Sequence, residues 1–213
     1  MIKNILADHM SGDVNTKTDL CKCYQRMGSD KSTYHNYSAL YYRIFQEFQY
    51  KNINFLEVGL GTNNLDVKSN MGTDGRPGAS LYTISEQYKH WNIYGLDVDK
   101  RILFQDQARR ISTYFVDQTD ASTIRSVCAN ELKDLEFHIM IDDGLHEFAA
   151  NRNFFQNSFH MLAPGGYYII EDILYPDTFQ RYFDLLGMEY HLITIPHPYN
   201  DKDNTLLIIQ KNS

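Results

Sequence analysis

Five short apolar runs recur along the chain, "INFLEVG" (53–59), "NIYGLDV" (92–98), "STYFVD" (112–117), "EFHIMID" (136–142) and "GYYIIED" (166–172). Between them, "SLYTISEQYKHW", "DASTIRSVCANEL" and "HEFAANRNFFQNSFHML" space their apolar residues for one face of a helix. Strand-length runs alternating with helical patterns predict a parallel sheet covered on both faces, because a parallel pair needs a crossover and the helices supply it. Pro164, Gly165 and Gly166 are expected to stop the last of these helices. At the C-terminal end, "EYHLITIPH" and "NTLLIIQK" flank "PYNDKD", whose Pro, Asn and Asp favour a turn, so the pair predicts an antiparallel hairpin.

A chain of 213 residues, 43% hydrophobic and 22% charged, can bury one core, and a single domain over 1–213 is expected. Residues 1–50 read as a mostly helical cap or lid broken at the polar "MGSDKSTYHNY", and 51–213 as the core. A formal charge of −7 with no basic stripe excludes a nucleic-acid partner. Cys21, Cys23 and Cys128 form neither a disulfide framework nor zinc-ligand spacings, so reduced thiols and a cytoplasmic location are expected. No run approaches 18 apolar residues, so no membrane insertion is expected, and the first ten residues lack the apolar stretch of a signal peptide.

"FLEVGLGTNN" places Gly59 and Gly61 directly after the first strand, where a tight turn lets a ligand approach the backbone. Dinucleotides and S-adenosylmethionine both use such a turn. A dinucleotide fingerprint wants a third glycine where this chain has Asn64, and Glu57 would repel a pyrophosphate. The ammonium and sulfonium groups of S-adenosylmethionine instead favour a carboxylate there. Asp97, ending the second strand, suits ribose hydroxyls, and Asp117 with Gln118, ending the third, suit an adenine edge. Each of these acids could equally be a helix cap or a solvated turn residue. Three of them at successive strand ends are the stronger signal, since ligands of open α/β sheets bind along that edge.

The fourth strand ends in Asp142 and Asp143, and the fifth in Glu171 and Asp172. If the two strands are neighbours, these carboxylates repel and raise one another's pKa unless a cation lies between them. Mg²⁺ or Mn²⁺ favours such oxygen ligands and keeps positions open for water or substrate. His146 follows Asp143 by three residues and is a candidate general base for a substrate hydroxyl. Asp143 could instead cap a helix starting near His146. His197, in "IPHPY", lies on a turn beside the same edge.

Taken in order, "GSDKSTYHNY", "FLEVGLG", "GASL", "YGLDVDK", "VDQTD", "IDDGLH" and "PGGYYIIED" resemble the class I S-adenosylmethionine-dependent methyltransferases. More narrowly, they are similar to the metal-dependent sugar O-methyltransferases of the macrocin and mycinamicin type, with cephalosporin-hydroxylase-like proteins as relatives. The resemblance spans roughly residues 27–173. It implies an α/β, Rossmann-like fold: a seven-stranded, mostly parallel sheet with a C-terminal antiparallel hairpin and helices on both faces. It also implies S-adenosylmethionine on Glu57, Gly59, Gly61, Ser80, Asp97, Asp117 and Gln118, with Asp142 facing the cofactor's methionine end or supporting the turn. Mg²⁺ (or Mn²⁺) falls on Asp143, Glu171 and Asp172, and His146 becomes the base. Leu145 stands where that family has serine in "DDGSH".

The expected function is therefore Mg²⁺-assisted O-methylation of a sugar hydroxyl in polysaccharide or natural-product biosynthesis. Partners on this reading are a small-molecule or saccharide acceptor and further copies of the chain in a homo-oligomer. His35, Tyr37 and His197 are placed near the acceptor, with "GSDKSTYHNY" as a lid or, equally, a surface connection. An acceptor of nitrogen or phosphoramidate type and a non-catalytic binding protein remain open alternatives; a dinucleotide oxidoreductase is disfavoured by Glu57 and Asn64.

Overall fold

The structure is a computed structural model and describes residues 2–12 and 17–212. Parts of the expected helical 1–50 stretch, residues 1 and 13–16, and the last residue lie outside these. Eight strands form one sheet: β1 (Asn54–Val58), β2 (Asn92–Asp97), β3 (Gln105–Asp106), β4 (Ile111–Phe115), β5 (Phe137–Asp142), β6 (Leu162–Ile170), β7 (His191–Thr194) and β8 (Thr205–Gln210). Their order is β3-β4-β2-β1-β5-β6-β8-β7. β4, β2, β1, β5 and β6 run parallel, β8 is antiparallel to β6 and forms the expected hairpin with β7.

Side chains alternate across each strand, and this divides the core in two. Phe55, Ile93, Ile139, Ile141, Ile169 and Ile208 face helices α1 (Ile2–Ser11), α2 (Asp19–Met27), α3 (Tyr37–Phe45) and α4 (Ala79–Gln87). Leu56, Leu96, Met140, Tyr168, Ile170 and Ile209 face α5 (Ala121–Ala129), α6 (Phe148–Ser158) and α7 (Pro176–Leu185). Each fully buried aliphatic or aromatic side chain stabilises such a layer by about 1.5–3 kcal/mol.

Two expectations need correction, and one alternative left open is not the one observed. The sheet has an eighth strand, β3, only two residues long; the Thr113 side chain accepts from the Phe104 amide at 2.6 Å and its carbonyl from Gln105 Nε2 at 2.9 Å, holding the returning chain on β4. So short an element leaves no periodic signal. The helix before β6 ends at Ser158, not at Pro164, which lies inside β6 where the pairing with β5 shifts register. Proline is tolerated at such an irregularity because no ladder donor is needed there. Finally, Asp143 caps no helix: α6 begins at Phe148 with Glu147 at its N-cap, leaving Asp143 and His146 in the preceding loop.

The N-terminal segment is shaped by its own caps. Thr18 accepts from the Cys21 amide at the start of α2, and Gly28, at φ 88°, ends that helix and donates its amide to the carbonyls of Tyr24 and Gln25. A residue with φ near +90° must lack a Cβ to avoid strain. The chain then turns through a short 3-10 stretch, Asp30–Ser32, into α3. Tyr37 and Tyr41, four apart on α3, share a face. Cys21, Cys23 and Cys128 are buried and form no disulfide among the described residues. Among the described residues no helix is long and apolar enough to cross a membrane.

Candidate active site

The C-terminal ends of the parallel strands open into a cleft of about 510 Å³, bordered by Gly59, Gly61, Asp97, Gln118, Asp143, His146 and Asp172 among others. β5 pairs with both β1 and β6, so the glycine turn and the two acidic strand ends are neighbours. Gly59 (φ 93°) donates its amide to the Leu96 carbonyl at 2.8 Å and passes so close to the Asp143 backbone that a methyl group at 59 would overlap it.

On the β1–β2–β4 side, each acid is satisfied by nearby chain. Asp97 accepts from the Leu60 amide at 2.7 Å and the Asp99 amide at 2.8 Å, although burial still pushes its carboxyl above the usual range. Asp99 accepts from Thr62 Oγ1 at 2.6 Å, Asn64 Nδ2 at 2.7 Å and Arg101 Nε at 2.7 Å. The Arg101 guanidinium holds the Asp99 carboxyl well below the carboxylate range. Arg101 also reaches Asp66 at 3.0 Å, tying the long loop after β1 to the end of β2. Asp117 turns back to the amide and hydroxyl of Thr119. Gln118 donates to Asp142 Oδ1 at 2.7 Å and accepts from the Leu145 amide at 2.9 Å, and it fills the space a Cβ on Gly144 would need.

The β5–β6 side is built differently. Lys31, only 2% exposed, extends from the 3-10 turn into the acids, pairing with Asp143, with Glu171 at 2.6 Å and with Glu57 at 3.3 Å. Burial opposes its charge, but Asp143, Glu171 and Glu57 outweigh it and raise the ammonium well above the usual lysine range. Glu57 also accepts from Ser80 Oγ at 2.6 Å; burial raises its carboxyl, with Lys31 acting the other way. Glu171 accepts from Tyr41 at 2.6 Å on its second oxygen, and burial first, then Asp143, raise its pKa.

Asp172 accepts from Tyr37 at 2.8 Å, with His35 Nδ1 3.5 Å away and His146 Nδ1 3.7 Å away. Burial, reinforced by Asp143, pushes its carboxyl up to about 7. Asp142 is fully buried, one oxygen lacks a hydrogen-bond partner, and burial brings it to about 6. His146 (φ 57°) and Asp172 (φ 55°) both adopt the left-handed conformation that L-residues avoid, a strain of about 1–3 kcal/mol each.

One ligand atom each from Asp143, His146 and Asp172 lie within 4.8 Å of one another. The His146 Nδ1 atom is buried without a hydrogen-bond partner, and the other donors are carboxylate oxygens. The Asp143 and Asp172 oxygens fit a hard divalent cation with positions left open to the cleft, and His146 borders that place. Glu171 adjoins this group with both oxygens engaged by Lys31 and Tyr41.

His35 and Tyr37 lie buried behind Asp172, not on the cleft wall. His197 is outside the cleft, its Nε2 3.1 Å from the Thr33 carbonyl while Nδ1 accepts from the Asn200 amide at 3.1 Å. It anchors the Asp30–Ser32 turn to the β7–β8 connection. Residues that sequence reasoning missed are Lys31, Tyr41, Asp99 and Arg101. Asp99 had a visible signal, a second acid two residues beyond Asp97 in "DVDK".

No family model matches the chain. Among curated proteins it is 30% identical over 163 residues to the 8-demethyl-8-alpha-L-rhamnosyl tetracenomycin-C 2'-O-methyltransferase of Streptomyces olivaceus, covering 75% of this chain and 39% of the relative. It is 29% identical over 165 residues to the mycinamicin VI 2''-O-methyltransferase of Micromonospora griseorubida, covering 77% of this chain and 38% of the relative. The chain thus spans under two fifths of the length of these curated relatives. Among solved structures it superposes on the MycE methyltransferase of the mycinamycin biosynthetic pathway, in complex with Mg and SAH, with a TM-score of 0.68 at 22% identity, covering 93% of this chain and 56% of that one. The chain has the α/β fold of the S-adenosylmethionine-dependent methyltransferases and, over three quarters of its length, a sequence similar to their sugar O-methyltransferases.

Proposed function

We propose that this chain transfers a methyl group from S-adenosylmethionine to a sugar hydroxyl with the help of Mg²⁺ or Mn²⁺. The observation that carries the reading is one cleft joining the glycine turn at 59–61 to Asp143, His146 and Asp172, which separates a place for the cofactor from a place for a cation and a base. The similarity to natural-product sugar O-methyltransferases supports the acceptor class.

The cofactor would supply an electrophilic methyl, and the cation, held by Asp143 and Asp172 with Glu171 behind them, would make the acceptor hydroxyl more acidic. The chain's own groups do the rest. Gly59 and Gly61 let the cofactor approach the backbone, Ser80 on the cleft wall holds the buried Glu57 behind it so that its charge acts on the cofactor's methionine end from there, and Asp97, Asp117 and Gln118 line the nucleoside side. His146 turns Nδ1 toward Asp172, which leaves Nε2 as the atom that takes the acceptor's proton. Asp142, clamped by Gln118, fixes the loop carrying Asp143 and His146.

Polysaccharide assembly and natural-product tailoring are the pathways that suit such an acceptor, and three buried cysteines without a disulfide among the described residues support a reducing compartment such as the cytoplasm. The test is methyl transfer from labelled S-adenosylmethionine to a panel of nucleotide sugars and glycosides, with and without Mg²⁺. A new O-methyl carbon resonance that needs the metal is the expected result. Cofactor binding without transfer to any acceptor would overturn the reading, and a methyl carbon bonded to nitrogen would replace the acceptor class.

A further inference from the structure

A buried lysine at the centre of a proposed metal site is the feature the reading above does not use. Lys31 is 2% exposed and contacts three carboxylates, Asp143, Glu171 and Glu57, of which Asp143 is proposed to hold the cation and Glu171 lies directly behind it. Its stem is fixed from both sides: Gly28 and the Ser29 cap shape the turn that carries it, and Tyr41 on the next helix holds the other oxygen of Glu171. Tyr37 and His35 from the same segment occupy Asp172. Residues 29–41 thus supply every non-carboxylate side chain that touches Glu171 or Asp172 by hydrogen bond or ion pair among the described residues, apart from His146.

We propose that Lys31 is a positioning residue that serves as the site's internal cation, keeping the carboxylates together when no divalent ion is bound and holding down the affinity for that ion. The inference rests on the metal reading proposed above. An ammonium and a divalent cation sharing Asp143, with Glu171 beside both, repel one another, and in a partly buried site that repulsion is worth at least about tenfold in affinity. Without either cation the buried acids would face each other uncompensated. The two positive charges are therefore alternatives for one set of oxygens.

The test compares the wild-type chain with Lys31→Met and Lys31→Gln by calorimetric titration with MgCl₂ and by thermal unfolding in chelator and in saturating Mg²⁺. The expected result is that the variants bind Mg²⁺ at least about tenfold tighter than wild type. They should unfold about 10 °C lower in chelator and recover most of that loss with Mg²⁺. Should both variants fail to fold, the wild-type chain labelled at lysine Cε carries the test: the Lys31 resonance is expected to move as Mg²⁺ saturates while surface lysines stay still. Variants that bind Mg²⁺ no tighter than a wild type that does bind it, or a Lys31 signal that ignores the metal, overturn this proposal alone. A wild type that binds no Mg²⁺ overturns the metal reading and this proposal with it.

Discussion

The two sides of the cleft handle negative charge in opposite ways. Around β1, β2 and β4, Asp97, Asp99 and Asp117 are met by backbone amides, small hydroxyls and a half-exposed arginine, nearly all from the same loop or the one beside it. At the ends of β5 and β6, Asp143, Glu171 and Asp172 are met by a buried lysine, two tyrosines and histidines, with Lys31 112 residues from Asp143 and 140 from Glu171. The first arrangement holds each acid in a fixed orientation through donors close by in the chain. The second keeps Glu171 and Asp172 under tension, both raised by burial first and then by the Asp143 charge, and so responsive to whatever cation enters.

The largest effect that would sharpen this contrast is chemical. His146→Gln should lower methyl transfer about 10²- to 10⁴-fold while leaving the unfolding midpoint close to wild type, measured on the same acceptor. Unchanged turnover would move the base elsewhere. At the seam between the two sides, Gly59→Ala forces a side chain into the Asp143 backbone from a φ of 93°, a destabilisation on the order of 3 kcal/mol readable by urea unfolding.

Protonation gives the next test. Burial raises Asp142 to about 6, and burial with Asp143 raises Asp172 to about 7, both above the value near 4 of an unfolded aspartate. The folded state therefore favours their protonated forms. Their contribution is complete below about pH 4 and is lost as pH rises through 6 and 7. In chelator, Asp142→Asn should flatten the fall in stability between about pH 4 and 6 by on the order of 2 kcal/mol. An unaltered slope would place the titration in other groups.

Two smaller substitutions compare the sides directly. Tyr41→Phe leaves Glu171 with one buried oxygen unmet and should cost about 1–3 kcal/mol, insensitive to salt. Arg101→Ala removes a guanidinium that is 52% exposed and should cost clearly less than Tyr41→Phe, shrinking further in high salt. Equal costs would erase the distinction drawn above.

The same distinction explains what was legible in the sequence. The strand rhythm, the C-terminal hairpin and the acids at strand ends all follow from local pattern, and the parallel order places Val58 opposite Asp142 and Asp142 opposite Ile170. Lys31 was not legible, because in "GSDKSTYHNY" a lysine beside Asp and Ser reads as solvated turn, and only the packing of α3 against the sheet drives it inward. His35 and Tyr37, expected near the acceptor if "GSDKSTYHNY" is a lid, lie buried against Asp172 instead, because the same packing carries them inward. Asn64, read as a missing glycine, turned out to bind Asp99. β3 was hidden by its length, and Pro164 misled because a register shift accommodates it.

The distance along the chain between Lys31 and its carboxylates has a consequence for the order of events at birth. On a ribosome Lys31 emerges long before Asp143 and Glu171, so it cannot be buried with partners until β5 and β6 exist. An unpaired lysine stays in water, and contacts of such long range form late. Residues 29–41 should therefore dock last, making closure of the N-terminal segment a report that the far strands have already paired correctly.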